Sequence, residues 1–204
     1  MEVLIITGGI GSGKSEVCRI LQQTYRCGVY NADQRVKLLY DTHPTLLADI
    51  EQLLGESLRS DDGKFLPARL SARIFSDKEL LVKVEALVFP ALTEDFEDWS
   101  KGFAGDRFVV FESATILEKP QLKGFGDKIV LVDANMETRL ERACMRDSAS
   151  KESIAVRMQN QQLMNSFSIG EALPEVDAVI LNVGTLDDLH DTTVGVIEKL
   201  YGNL

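Results

Sequence analysis

Eight residues near the start of the chain, Gly8-Gly9-Ile10-Gly11-Ser12-Gly13-Lys14-Ser15, limit the folds open to it more than any other feature of the sequence. They fit G-x-x-x-x-G-K-[ST], a turn that works only between a buried strand and a helix. Both neighbours have the required pattern. Residues 3–7 (VLIIT) are apolar and rich in β-branched side chains, as in a strand buried on both faces of a parallel sheet. Residues 15–25 follow with Val17, Ile20 and Leu21 at helical spacing, and residues 27–30 read as a second strand, completing a βαβ unit. Further apolar runs at 107–111 (RFVVF), 128–133 (KIVLVD) and 178–182 (AVILN) alternate with helical patterns. The expected fold is α/β: a P-loop NTPase with a parallel five-stranded sheet and helices on both faces.

Such a loop binds polyphosphate. Its glycines let backbone N–H groups turn inward, and the helix behind it adds the positive end of its dipole. Gly9, Gly11, Ser12, Gly13, Lys14, Ser15 and Glu16 are therefore the expected nucleotide-binding residues. Lys14 reaches toward the β- and γ-phosphates of ATP, and the Ser15 hydroxyl is placed to ligate Mg²⁺. No N-K-x-D segment for guanine occurs, and the chain is short for a motor ATPase, which leaves a kinase of a small acceptor.

Composition narrows the partners. Lys and Arg number 22 against 32 Asp and Glu, a net charge of −10, so neither nucleic acid nor an anionic membrane is an expected partner. Cys18, Cys27 and Cys144 are far apart and form neither a disulfide framework nor a zinc site. His43 and His190 lie in polar segments and are not expected metal ligands. Met1 leads straight into a strand, and no apolar run approaches the ~20 residues that span a bilayer, so a cytoplasmic protein is expected.

The stretch between the second and third strands reads as helices at 33–40, 44–54, 67–75 and 78–99, with Phe89-Pro90 expected to kink or break the last. A second helical stretch, 137–165, is interrupted near Asp147–Ser150, where Ser150 is placed to cap the next helix.

Three acceptor-side features carry open alternatives. Asp33 follows the second strand at the sheet edge where ligands bind, and is placed either as the base for an attacking hydroxyl or as a helix N-cap. Glu112 ends the third strand, either near the magnesium shell through water or as a solvated carboxylate. Arg139, Arg142 and Arg146 share one helical face, with Arg157 after the break. The row either closes over the nucleotide, with Arg142 the best placed, or is an exposed face paired with Glu137 and Glu141.

Taken in order, these segments resemble the dephospho-CoA kinase family over nearly the whole chain. The likeness runs from Thr7–Ser15 through V-Y-N-A-D at 29–33, Asp62-Gly63, and Ile74-Phe75-Ser76-Asp77. It continues with Phe111-Glu112-Ser113-Ala114, the segment 139–147 with Arg157 and Gln161, and V-I-L-N-V-G at 179–184. The resemblance implies transfer of the ATP γ-phosphate to the ribose 3′-hydroxyl of dephospho-CoA, with Mg²⁺. It implies Asp33 as base, Lys14 and Arg142 as further catalytic residues, and Asn182 near the adenine. It also implies a nucleotide core (1–32, 103–138 and 166–204), a helical CoA-binding insertion (33–102), and a lid with its following helix (139–165). A monomer or weak homo-oligomer is expected. Phe89, Thr93 and Pro67 replace a His, an Arg and a basic residue common in the family, all in the acceptor region. The alternatives are a kinase of another hydroxyl acceptor, or a non-catalytic nucleotide-binding protein.

Overall fold

The computed structural model describes residues 1–75, 77–161, 167, 173 and 175–202. These form two compact units, one from Met1–Asn31 and Phe103–Leu204, the other from Ala32–Gly102.

The first unit is built on a five-stranded sheet. Its strands are β1 (Glu2–Gly8), β2 (Val29–Asn31), β3 (Phe108–Glu112), β4 (Lys128–Asp133) and β5 (Ala178–Leu181). The order is β2-β3-β1-β4-β5, and every pairing is parallel. A central parallel strand is covered on both faces, which is why Leu4, Ile5 and Ile6 run consecutively apolar and are all fully buried. Leu4 and Ile6 point with Val110, Val130, Val132 and Ile180 into one core. That core is closed by Val17, Ile20 and Leu21 of α1 (Lys14–Tyr25) and by Leu189 and Ile197 of a C-terminal helix, Leu186–Tyr201. At β3, Phe111 stacks on Tyr30 with ring centroids 5.3 Å apart and meets Phe125 edge-on at 4.8 Å. Parallel register brings the strand ends together: Asn31 lies beside Glu112, Glu112 beside Ile6, and Gly8 beside Val132. The P-loop and the ends of β2, β3 and β4 thus share one edge of the sheet.

The second unit is helical: α2 (Ala32–Thr42), α3 (Leu46–Leu54), α4 (Pro67–Ile74) and α5 (Lys78–Ser100), with α5 packed against the other three. Between α3 and α4 a tight turn pairs Arg59 with Phe65, and Gly63 at its tip takes φ 84°, a left-handed conformation open to glycine at little cost. Arg35 of α2 is ion-paired to Asp95 of α5. The break expected at Phe89-Pro90 is absent, and α5 is one helix of 23 residues. Proline removes one donor, the one that would serve the Ala86 carbonyl, but Ala86 and Pro90 both lie on the exposed side, where water can serve that carbonyl. Val84, Val88, Ala91, Leu92 and Phe96 are buried on the opposite side and hold the helix through the defect. Among the described residues no helix is long and apolar enough to cross a membrane.

In the first unit the second helical stretch forms a hairpin of α6 (Met136–Asp147) and α7 (Lys151–Gln159). Ser150 caps α7 as expected, its hydroxyl accepting from Ser153 N at 3.3 Å. Residues 162–165, assigned from sequence to the same stretch, lie outside the described residues. The C-terminal helix Leu186–Tyr201 is α8 and opens on a capping box between Thr185 and Asp188.

Candidate active site

The loop between β1 and α1 is shaped as much by what surrounds it as by its own glycines. Gly8, Gly11 and Gly13 take φ values of 145°, 75° and 102°, which side chains rarely adopt. All four glycines are also crowded from behind. A Cβ on Gly8 would lie 2.0 Å from the Val132 carbonyl oxygen, and one on Gly13 2.2 Å from Asn182 Nδ2. A Cβ on Gly9 would lie 1.8 Å from Arg139 Nη2, and one on Gly11 2.1 Å from the Arg139 carbonyl oxygen. Inside the loop Lys14 Nζ donates to the carbonyls of Gly8 and Gly9, at 2.9 and 3.1 Å. Gly13 is the N-cap of α1, so the helix opens its N–H groups toward the loop without a capping side chain.

Beside this cradle, the Ser15 hydroxyl donates to Glu112 Oε1 at 3.0 Å, and Asn31 Nδ2 donates to Glu112 Oε2 at 2.7 Å. Glu112 is buried, so the alternative of a solvated strand-end carboxylate is excluded. Register explains the meeting: β2 and β3 end side by side, next to the strand that feeds the P-loop.

The arginine row divides. Arg139 is buried beneath the loop, donating from Nε to the Ile10 carbonyl at 3.1 Å and from Nη1 to Asp133 Oδ1 at 3.3 Å. Burial lowers its proton affinity, opposed by the neighbouring Asp133 carboxylate. Its side chain is therefore neither free to close over the nucleotide nor part of an exposed face. Arg146 and Arg157 both pair with Asp147, and their hydrogen bonds hold its carboxyl far below the ordinary carboxylate range. Arg142 differs from these. Among the described residues its Nη1 is buried with no hydrogen-bond partner, and it lies 4.0 Å from the Cβ position of Gly13, at the edge of the cradle.

Other expected site residues fall as follows. Asn182 is buried and donates from Nδ2 to the Ser12 carbonyl at 3.0 Å, bracing the cradle. Glu16 is bonded to Arg19 one turn along α1, which lowers its proton affinity. Asp33 is exposed and stands in the first turn of α2, which begins at Ala32, so it is inside the helix and not its N-cap. Among the described residues no His, Cys, Asp and Glu cluster is arranged for a metal. His43 has a local structural role, accepting from Leu46 N at 3.0 Å at the start of α3.

Three contributors were not legible as site residues from sequence. Gln161 is buried and accepts from Ile10 N at 2.8 Å, Asp133 neutralises Arg139, and Asn31 is the second donor to Glu112. Asp133 and Asn31 each end a strand at the loop's edge of the sheet, the one signal that could have found them.

A family model for dephospho-CoA kinase matches residues 2–188. A dephospho-CoA kinase of Porphyromonas gingivalis is 37% identical over 182 residues, covering 89% of this chain and 86% of the relative. One of Chlorobaculum tepidum is 35% identical over 205 residues, covering 98% and 93%. A solved structure from Thermus thermophilus superposes with a TM-score of 0.80 at 25% identity, covering 98% of each chain. A dephospho-CoA kinase from Campylobacter jejuni superposes at 0.63 with 21% identity, over 97% of this chain and 96% of that one, a likeness of fold. With its strand order, its cradle and the family match agreeing along nearly the full length, the chain belongs to the dephospho-CoA kinase family.

Proposed function

We infer that this chain transfers the γ-phosphoryl group of ATP to the ribose 3′-hydroxyl of dephospho-CoA. The observation that carries the phosphate half is the hydrogen bond from the exposed Ser15 hydroxyl to the buried Glu112 carboxylate, beside a P-loop whose lysine already lies inside the ring. Family membership carries the acceptor half. In this reading Lys14 and Arg142 balance charge on the phosphoryl group in flight, and the cradle's N–H groups hold the phosphates left behind. Arg142 suits the role because its Nη1 is desolvated yet unbonded, a group that gains from an anion. Asp33 accepts the proton of the 3′-hydroxyl as that oxygen attacks phosphorus. Gly9, Gly11, Ser12, Gly13, Ser15 and Glu16 line the nucleotide path, and Asn182 supports its adenine end.

The Ser15 hydroxyl and the Glu112 carboxylate are hard oxygen donors, and the pair fits Mg²⁺, Ser15 directly and Glu112 through water. Bound there, Mg²⁺ neutralises charge on the β- and γ-phosphates. Residues 33–102 serve as the acceptor-binding insertion and 139–165 as the lid, on a core of 1–32, 103–138 and 166–204. In the same reading the enzyme works in the cytoplasm as a monomer or weak homo-oligomer.

The test is ADP release with ATP and Mg²⁺, comparing dephospho-CoA with adenosine, shikimate and gluconate. Turnover confined to dephospho-CoA is expected, with Asp33→Asn retaining ATP binding and losing about a hundredfold or more in kcat. Turnover of another panel member instead would reassign the acceptor, and full activity in Asp33→Asn would remove it from the chemistry.

A further inference from the structure

Ile10 is the variable residue at the apex of the cradle, yet every part of it is held. Its N–H is bonded to Gln161 Oε1 at 2.8 Å, and its carbonyl accepts from Arg139 Nε at 3.1 Å. Its side chain packs on Ala143, Ile154 and Met158, the small core of the α6–α7 hairpin. Arg139 stands near the root of the hairpin's first helix, and Gln161 two residues past the end of its second.

We propose that Arg139 and Gln161 are positioning residues for nucleotide phosphate binding, orienting the two peptide units that meet at Ile10. This role rests on the reading of the loop as the phosphate cradle. A trans peptide points its C=O and N–H in opposite directions. In the Gly9–Ile10 unit, Gln161 draws the N–H outward, so the Gly9 carbonyl turns into the loop. There it accepts from Lys14 Nζ at 3.1 Å and Ser12 N at 3.2 Å. In the Ile10–Gly11 unit, Arg139 draws the carbonyl outward, so the Gly11 N–H faces the opposite, cradle side. Two side chains from the hairpin thus impose opposite orientations on consecutive peptides, one seating the lysine and the other aiming a phosphate donor. Arg139 can do this because Asp133 Oδ1, 3.3 Å from its Nη1, fixes the guanidinium. Gly9 and Gly11 leave room for its side chain and its backbone. The hairpin and the loop apex are therefore built as one joint.

The experiment measures ADP binding by calorimetry for Gln161→Met, Arg139→Lys and Arg139→Met, with Lys14→Ala as reference. KM values for ATP and acceptor and the melting temperature are read alongside. Gln161→Met keeps the side-chain length and removes the acceptor, and is the variant that tests the idea if Arg139→Met does not fold. A loss of about tenfold in ADP affinity and in ATP KM is expected for Gln161→Met and Arg139→Met, the worth of one hydrogen bond. Arg139→Lys should recover part of the loss, and acceptor KM should stay within about twofold in all. Folded Gln161→Met and Arg139→Lys that bind ADP as wild type, while Lys14→Ala does not, would overturn the proposal. If Lys14→Ala also binds normally, the phosphate-cradle reading itself fails.

Discussion

Replacing Glu112 by Gln separates structure from chemistry, because the two respond with opposite signs. The glutamine has the same shape, so Ser15 can still donate to the remaining carbonyl oxygen, and Asn31 can turn its amide to offer an acceptor to the new NH₂. A hydrogen bond to a carboxylate contributes about 1.5–3 kcal/mol and a neutral one about 1 kcal/mol, so the two bonds together lose about 1–4 kcal/mol. Against that stands desolvation of a buried carboxylate whose two hydrogen-bond donors, Ser15 and Asn31, are both neutral, a cost that the more distant Arg146 guanidinium offsets in part. The net change in folding stability without metal is then near zero or stabilising by about 1 kcal/mol. The magnesium requirement moves the other way. Removing a carboxylate that orients metal-bound water costs about 10- to 100-fold in metal affinity, so the Mg²⁺ concentration for half-maximal turnover rises by that factor. The assays are urea unfolding in EDTA and ADP release across a Mg²⁺ titration at saturating ATP. A folded Gln variant with unchanged Mg²⁺ dependence would refute the metal role. A stability loss above about 3 kcal/mol would refute the desolvation argument and make Glu112 structural.

Three further outcomes follow from contacts described above. Gly9→Ala puts a Cβ 1.8 Å from Arg139 Nη2, so it should cost about 1–3 kcal/mol in wild type and much less in an Arg139→Ala background, a non-additivity read by thermal unfolding. Pro90→Ala restores the donor for the Ala86 carbonyl within α5 and should raise stability by about 1–2 kcal/mol, after allowing for the looser unfolded chain, measured by urea unfolding. Asp147 is held below its ordinary range by Arg146 and Arg157, so its contribution is present above about pH 4 and disappears as pH falls further. The stability gap between wild type and Asp147→Asn, followed by urea unfolding, should therefore shrink between about pH 4 and pH 2, and it should be small throughout, about 1 kcal/mol or less, because both arginines are largely exposed.

Much of the sheet was legible from sequence for one physical reason. Strands buried on both faces must be continuously apolar, and FVVF, KIVLV and AVIL have no other reading beside a phosphate loop. The cradle was legible because its chemistry is carried by spacing along the chain. What failed to show was whatever depends on depth. Arg139, Arg142 and Arg146 have the same charge and the same helical face, and periodicity places them together. They differ in distance from the loop: Arg139 reaches under Ile10, Arg142 stops at Gly13, and Arg146 extends to Asp147. Three positions on α6 thus sample three environments, a buried ion pair, a desolvated edge and the solvent. The break allowed for at Pro90 is absent for a related reason, since the penalty of a helical proline depends on whether its orphaned carbonyl faces water, and sequence does not say which side of α5 that is.

Gln161 shows this most sharply: the family resemblance includes it, but no sequence pattern says what it binds. It lies 151 residues from the Ile10 N–H that it binds. The partner is a backbone group, and every residue but proline carries one, so no side-chain pattern at position 10 could have announced the bond. That arrangement has a consequence for the loop. The variable position of the motif is free to be isoleucine, since its apolar side chain serves the hairpin core while its backbone serves the cradle. A polar residue there would keep both backbone bonds but lose the packing on Ile154 and Met158. Ile10→Thr should accordingly loosen the hairpin more than it weakens phosphate binding, whereas Gln161→Met should do the reverse. Hydrogen exchange of α7 amides, set against ADP affinity for the two variants, distinguishes the packing half of the joint from its hydrogen-bonded half. Parallel changes in both measurements for both variants would mean that the two halves act as one element and cannot be divided.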